Sequence, residues 1–161
     1  MSAESAAGPR PLVVGVLPGQ HPEVLQTAAS LAKRLAAPMI CVHVDEASYL
    51  VEWDPARTAH RSSLHRDADD AAIREANREL RSSIGASVDK LAVEWTLRTL
   101  PGDPARAIGR LAAEANALMI VVGTPERGVG HRISAALNSS VAAWLSHHQE
   151  RPVLIVPAVE K

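Results

Sequence analysis

The residues best placed to do chemistry gather in one stretch, Ala117-Leu118-Met119-Ile120-Val121-Val122-Gly123-Thr124-Pro125-Glu126-Arg127-Gly128-Val129-Gly130-His131-Arg132. A continuous apolar run breaks into a glycine-rich polar loop, and a helical pattern starts near Ile133. Strand, glycine loop and helix together are the physical recipe for an anion site. Glycines let the backbone approach a ligand closely, and a helix start presents free N–H groups and partial positive charge. Arg127, His131 and Arg132 add cations, Glu126 opposes them, and Gly128 and Gly130 keep close backbone approach open. The loop is not a P-loop: Gly123-x4-Gly128 has its first spacing, but Val129 stands where the lysine is needed.

Other reactive residue types are sparse. Cys41 and His43 share one face of an expected strand and could begin a metal site, but no further ligands cluster with them, so a packed or hydrogen-bonded histidine is the simpler reading. His147-His148 ends the last expected helix, where histidine complements the helix dipole. His60 and His65 sit among arginines in a long segment that reads as a solvated loop. There is no Gly-x-Ser-x-Gly elbow and no evident acid and base pair, so the sequence is not read as that of an enzyme.

The elements that must position the glycine loop follow from hydrophobic periodicity. Apolar runs at Pro11–Leu17, Met39–Val44, Ala117–Val122 and Val153–Val156 read as buried strands, the last fenced by Pro152 and Pro157. Leu91–Leu97 alternates apolar and polar, as a half-exposed strand does. Between the strands, four stripes recur at helical spacing. Val24, Leu25, Ala28, Leu31, Ala32 and Leu35 form the first, after Pro22. Ile73, Ala76, Leu80 and Ile84 form the second, in a helix starting at Asp67 with an acidic first turn. Ala107, Ile108, Leu111, Ala112 and Ala115 form the third, with Asp103 as N-cap and Pro104 at the first position. Ile133, Leu137, Val141, Trp144 and Leu145 form the fourth. Strands alternating with helices predict a single doubly wound α/β domain, a five-stranded parallel sheet with helices on both faces. Leu17-Pro18-Gly19-Gln20-His21 reads as the turn closing the first strand.

Residues 1–10 and 158–161 read as tails, 11–157 as the domain, and 47–66 as a long loop. Trp53 in that loop, with Tyr49, Leu50 and Val51, is expected to cover a ligand, to form a partner surface or to pack on the domain, whereas Trp95 and Trp144 are expected in the core. With no Phe, one Tyr and three Trp, the core must be built of Val, Leu, Ile and Ala. A net charge of −1 argues against general attraction to nucleic acid or an acidic membrane. No apolar run approaches the roughly 18 residues of a membrane span. A single cysteine excludes an intramolecular disulfide and suits a reducing cytoplasm. Val153–Val156 is wholly apolar, which is hazardous at a sheet edge unless covered. The simplest cover is the same strand of a second chain, so a homodimer is expected.

Several pieces, in this order and spacing, resemble the universal stress protein family: Gly102-Asp103-Pro104-Ala105-Arg106-Ala107-Ile108, Leu118–Thr124, Ser139-Ser140-Val141-Ala142 and Arg151–Pro157. The resemblance covers Pro11 to Pro157. It implies the strand order 3-2-1-4-5, dimerisation through the last strand and a cytoplasmic stress-response role. It further implies ATP or another adenine nucleotide between the ends of strands one and four, where ligands of such sheets bind. Carried over residue by residue, Val16 and Val44 would border ribose and adenine. The loop residues Gly123, Thr124, Arg127, Gly128 and Gly130 would hold phosphate, with Ser139 and Ser140 reaching it. Three positions depart from the family's ATP-binding pattern: Leu17 replaces the usual aspartate after strand one, Glu126 stands where a glycine is wanted, and Asn138 replaces the last glycine. Three functions stay open on these residues: a nucleotide-responsive regulatory domain acting on an unknown protein partner, an interaction module without nucleotide, and a weak nucleotide hydrolase.

Overall fold

The computed structural model describes residues 8–45, 63–124 and 141–158, with residues 63–69 by backbone alone. The tail at 1–7, most of the 47–66 loop including Trp53, the glycine loop beyond Thr124, and the start of the last helix lie outside the described residues.

Five strands form one sheet: β1 (Leu12–Gly15), β2 (Met39–Asp45), β3 (Trp95–Pro101), β4 (Met119–Gly123) and β5 (Val153–Val156). All pairings are parallel and the order is β3-β2-β1-β4-β5, as expected. β1 is central, with Leu12 in register with both Met39 and Met119. The helices are α1 (Glu23–Leu35), α2 (Ser63–Val88), α3 (Pro104–Glu114) and α4, helical over residues 141–148. Successive strand side chains point to opposite faces, so the core divides into two layers. Leu12, Val14, Met39 and Cys41 pack beneath α1 and α2, with Ala28, Ala32, Leu80 and Ile84. Val13, Val42, Ile120 and Val122 pack beneath α3 and α4, with Ile108, Leu111 and Leu145. Alanines line the inner faces of α1 and α3, and this small-residue surface lets the sheet carry helices without aromatic filling.

The caps follow local chemistry. Asp103 Oδ1 accepts the Arg106 N–H at 2.9 Å, with Pro104 opening α3, as expected. α1 starts without a side-chain cap at Pro22; instead the Glu23 N–H points at His21 Nδ1, 3.3 Å away.

Several expectations need correction. The third strand runs Trp95–Pro101, not Leu91–Leu97. Asp89–Leu91 is a 3-10 turn capped by Ala92 at φ 54°, and a strand cannot run through a left-handed residue. Leu91 and Val93 still pack against the core, which is why the alternation looked continuous. The far half of β3 instead pairs Arg98–Pro101 with Val42–Asp45. α2 starts at Ser63 rather than Asp67, so the last residues assigned to the long loop are helical and the aspartates lie beyond the first turn. Leu35 is 45% exposed in the last turn of α1, beside Lys33 and Arg34, rather than buried. Ala115 caps α3 instead of lining its buried face. Trp95 and Trp144 are only half-buried. Trp95 donates its indole N–H to Asp89 at 3.1 Å, and Trp144 stacks on His148 with ring centroids 4.6 Å apart.

Candidate functional site

At the C-terminal ends of β1, β2 and β4 the sheet opens into a cleft. Its floor is Gly15 and Val16 of β1 and its continuation, with Val42 and Val44 on one side and Val122 and Gly123 on the other. The N-terminal ends of α3 and the described part of α4 close it through Pro104, Ile108 and Val141. This is the point where the chain order reverses about β1, the place where open parallel sheets hold ligands. Gly15 is part of the fit: a Cβ there would lie 3.3 Å from both Ile108 and Val122, narrowing the floor.

Of the residues singled out from sequence, Val16, Val44 and Gly123 line this cleft together. Thr124 is not among its lining residues. Its N–H donates to the Val156 carbonyl at 2.9 Å and its hydroxyl accepts the Ala158 N–H at 2.8 Å, because the β4–β5 pairing carries it toward the sheet edge. Arg127, Gly128, Gly130, Ser139 and Ser140 lie outside the described residues.

The loop after β1 supplies what the sequence reading passed over. Leu17-Pro18-Gly19-Gln20 closes with the Gln20 N–H donating to the Leu17 carbonyl at 3.2 Å, and Gly19 has φ 71°. Pro followed by a left-handed Gly is the arrangement of a type II turn. It folds the Gln20 side chain back over the end of β1, where Oε1 accepts the Leu17 N–H at 3.3 Å. Gln20 and Leu17 thereby join the lining of the cleft. The Pro-Gly pair was the available signal for the turn, but nothing in the sequence said which way Gln20 would point.

Gly123 is crowded by packing as well as by its place in the loop. A Cβ there would sit 2.8 Å from Val24 Cγ2 and 3.0 Å from Gln20 Nε2. The first turn of α1 therefore rests directly on the end of β4, and glycine is what that approach permits.

Cys41 and His43 do share a face, but they do different things. Cys41 is fully buried, and burial pushes its thiol up from 9.0 to about 12, so it is neither a thiolate nucleophile nor a ready metal ligand at neutral pH. His43 is half-buried with Nδ1 3.3 Å from the Val16 carbonyl oxygen, the hydrogen-bonded role expected for it. Beside it in register stands Thr99, which donates to Asn77 of α2 at 2.7 Å. Among the described residues no group of three or more His, Cys, Asp and Glu side chains could hold a metal. No described helix is long and apolar enough to cross a membrane.

The whole architecture is that of solved universal stress proteins. The structure of one from Archaeoglobus fulgidus is 23% identical with a TM-score of 0.64, covering 91% of this chain and 98% of that one. The universal stress protein from the same organism in complex with dAMP is 22% identical, with a TM-score of 0.63 and coverage of 91% and 97%. A universal stress protein in complex with cAMP is 23% identical, with a TM-score of 0.56 and coverage of 95% and 100%. At these identities the likeness carries the fold. A comparison with curated proteins returns no match. Residues 9–157 match the universal stress protein family, a span that takes in every described strand and helix. The chain belongs to the universal stress protein family.

Proposed function

We propose that this protein is a regulatory domain that binds an adenine nucleotide in the cleft at the ends of β1, β2 and β4. The observation that carries the reading is the convergence of Val16, Val44 and Gly123 on one apolar cleft at the reversal of strand order. The described walls suit a nucleoside: branched aliphatic side chains offer dispersion contact to a flat base. The likeness to proteins solved with dAMP and with cAMP supports an adenine ligand. The phosphates would be held by Arg127, Gly128, Gly130, Ser139 and Ser140, as the family resemblance implies. Binding would alter a surface read by a protein partner. The role is regulatory and cytoplasmic, without turnover of nucleotide.

The test is direct. Purified protein is denatured and the supernatant analysed for nucleotide by absorbance and chromatography, followed by calorimetry against ATP, ADP, AMP and cyclic AMP. Bound nucleotide, or heat with one of the four, is expected; neither would overturn the reading.

A second reading, an interaction module without nucleotide, is favoured by Leu17. It lines the cleft where the family resemblance implies an aspartate, so the described end of β1 offers no carboxylate there. This reading takes over if the assay above is blank.

We also propose a homodimer through β5. That strand is at the sheet edge, and Ile155 is 45% exposed on it. An open apolar edge is covered most simply by its own copy across a two-fold axis. Light scattering at micromolar concentration should give twice the chain mass.

A further inference from the structure

Gln20 is the only polar side chain among the described residues that line the cleft. Small-molecule sites of this type take their orientation from few polar groups in an apolar wall, so the chemistry of this one amide matters. Its two ends are not equivalent. Oε1 accepts the Leu17 N–H at 3.3 Å, which fixes the amide orientation, since a backbone N–H can only donate. Nε2 lies on the Gly123 side, 3.0 Å from where a Cβ of that residue would be, and no acceptor among the described residues takes its protons. The amide therefore keeps Nε2 as a free donor group beside Gly123.

We infer that Gln20 is a ligand-orienting residue of this cleft, donating through Nε2 to an acceptor oxygen on the ribose–phosphate side of the nucleotide next to Gly123. The inference rests on the nucleotide reading above and goes beyond it by assigning the polarity of the contact. With Leu17 in place of a carboxylate, the wall at the end of β1 carries no anionic acceptor. Gln20 puts a donor there instead, so the site favours an acceptor on the ligand where a carboxylate would favour a hydroxyl or amine. The type II turn makes this arrangement rigid, because the same residue is held by its backbone N–H and its Oε1.

The experiment uses Gln20→Glu. Glutamate keeps the acceptor for the Leu17 N–H and replaces the donor with a charged acceptor, so the turn is retained while the proposed contact is inverted. Calorimetry is run on the wild-type and variant chains with AMP and with adenosine. A weakening of AMP binding by about tenfold or more is expected, as for loss of a hydrogen bond to a charged group. A loss confined to AMP assigns the acceptor to a phosphate oxygen, and an equal loss with adenosine assigns it to a ribose oxygen. Unchanged affinity for both ligands, in a variant whose thermal unfolding matches wild type, would overturn the inference. A wild-type chain that binds neither AMP nor adenosine, nor any other adenine nucleotide, would instead remove the reading beneath it. Gln20→Met, uncharged and of similar length, separates donor loss from charge repulsion: it should also weaken AMP, by less.

Discussion

Replacing Gly123 by alanine separates two explanations for this glycine, room for a ligand and room for a helix. The added methyl group would lie 2.8 Å from Val24 Cγ2. Carbon atoms in good contact sit about 3.5–4.0 Å apart, so something must move by roughly an ångström. Val24 cannot yield easily. It is 1% exposed, it opens the buried face of α1, and a β-branched side chain in a helix has one strongly preferred rotamer. Overpacking of this kind costs about 1–3 kcal/mol. Alanine stiffens the unfolded chain, which offsets about 0.4–1 kcal/mol of that. The net expectation is a loss of about 1–2 kcal/mol without any nucleotide present. At about 2–4 °C per kcal/mol for a chain of this length, Tm should fall by about 2–8 °C. Urea denaturation followed by circular dichroism should show a lower midpoint with an unchanged slope. In a Val24→Ala background, where Cγ2 is gone, the cost of Gly123→Ala should shrink, with a coupling of about 0.5–3 kcal/mol between the two sites. A wild-type midpoint for Gly123→Ala, or the same cost in both backgrounds, would refute the packing argument and leave ligand approach as the explanation.

Other consequences can be measured on the same protein. Because burial raises the Cys41 thiol from 9.0 to about 12, the unfolded chain loses this proton before the folded one does. The contribution is intact below pH 9 and is lost as pH climbs toward 12, at up to about 1.4 kcal/mol per pH unit, and Cys41→Ala should flatten that part of the stability curve. The same burial predicts that a thiol reagent at pH 8 labels the protein only after unfolding. Ala36 and Ala92 have φ of 49° and 54°, where a side chain costs about 1–2 kcal/mol, so glycine at either position should raise the urea midpoint. Asp103→Ala removes the acceptor for the Arg106 N–H and should cost about 1 kcal/mol by the same assay. Ile155→Lys places a charge on the open edge and should convert a dimer to a monomer by light scattering without lowering the stability of the monomer.

Much of the architecture was written locally. Apolar runs bounded by proline and glycine announced β1, β2, β4 and β5, and Asp103-Pro104 announced the start of α3, because each signal acts between near neighbours in the chain. The alternation of strands with helices implied a parallel sheet, and the resemblance supplied its order. Alternation misplaces β3 because it cannot distinguish a residue that reaches the core from a strand from one that reaches it from a 3-10 turn. Leu91 and Val93 do the latter, behind the left-handed Ala92. Its position after Gly123 points Thr124 to the cleft, yet beyond the ladder between β4 and β5 its hydroxyl accepts the Ala158 N–H.

The cleft itself was legible only in outline. Sequence could name Val16, Val44 and Gly123 as residues at strand ends, since strand ends and family resemblance are readable one segment at a time. It could not bring Gln20 against Gly123, or show that Val24 crowds the same glycine. Those contacts join the start of α1 to the end of β4, far apart in the chain. They exist only because β1 and β4 pair side by side and α1 packs across both. Local chemistry selects the elements; the distances between their side chains are set by how the layers pack, and it is those distances that give the Gln20 amide its direction.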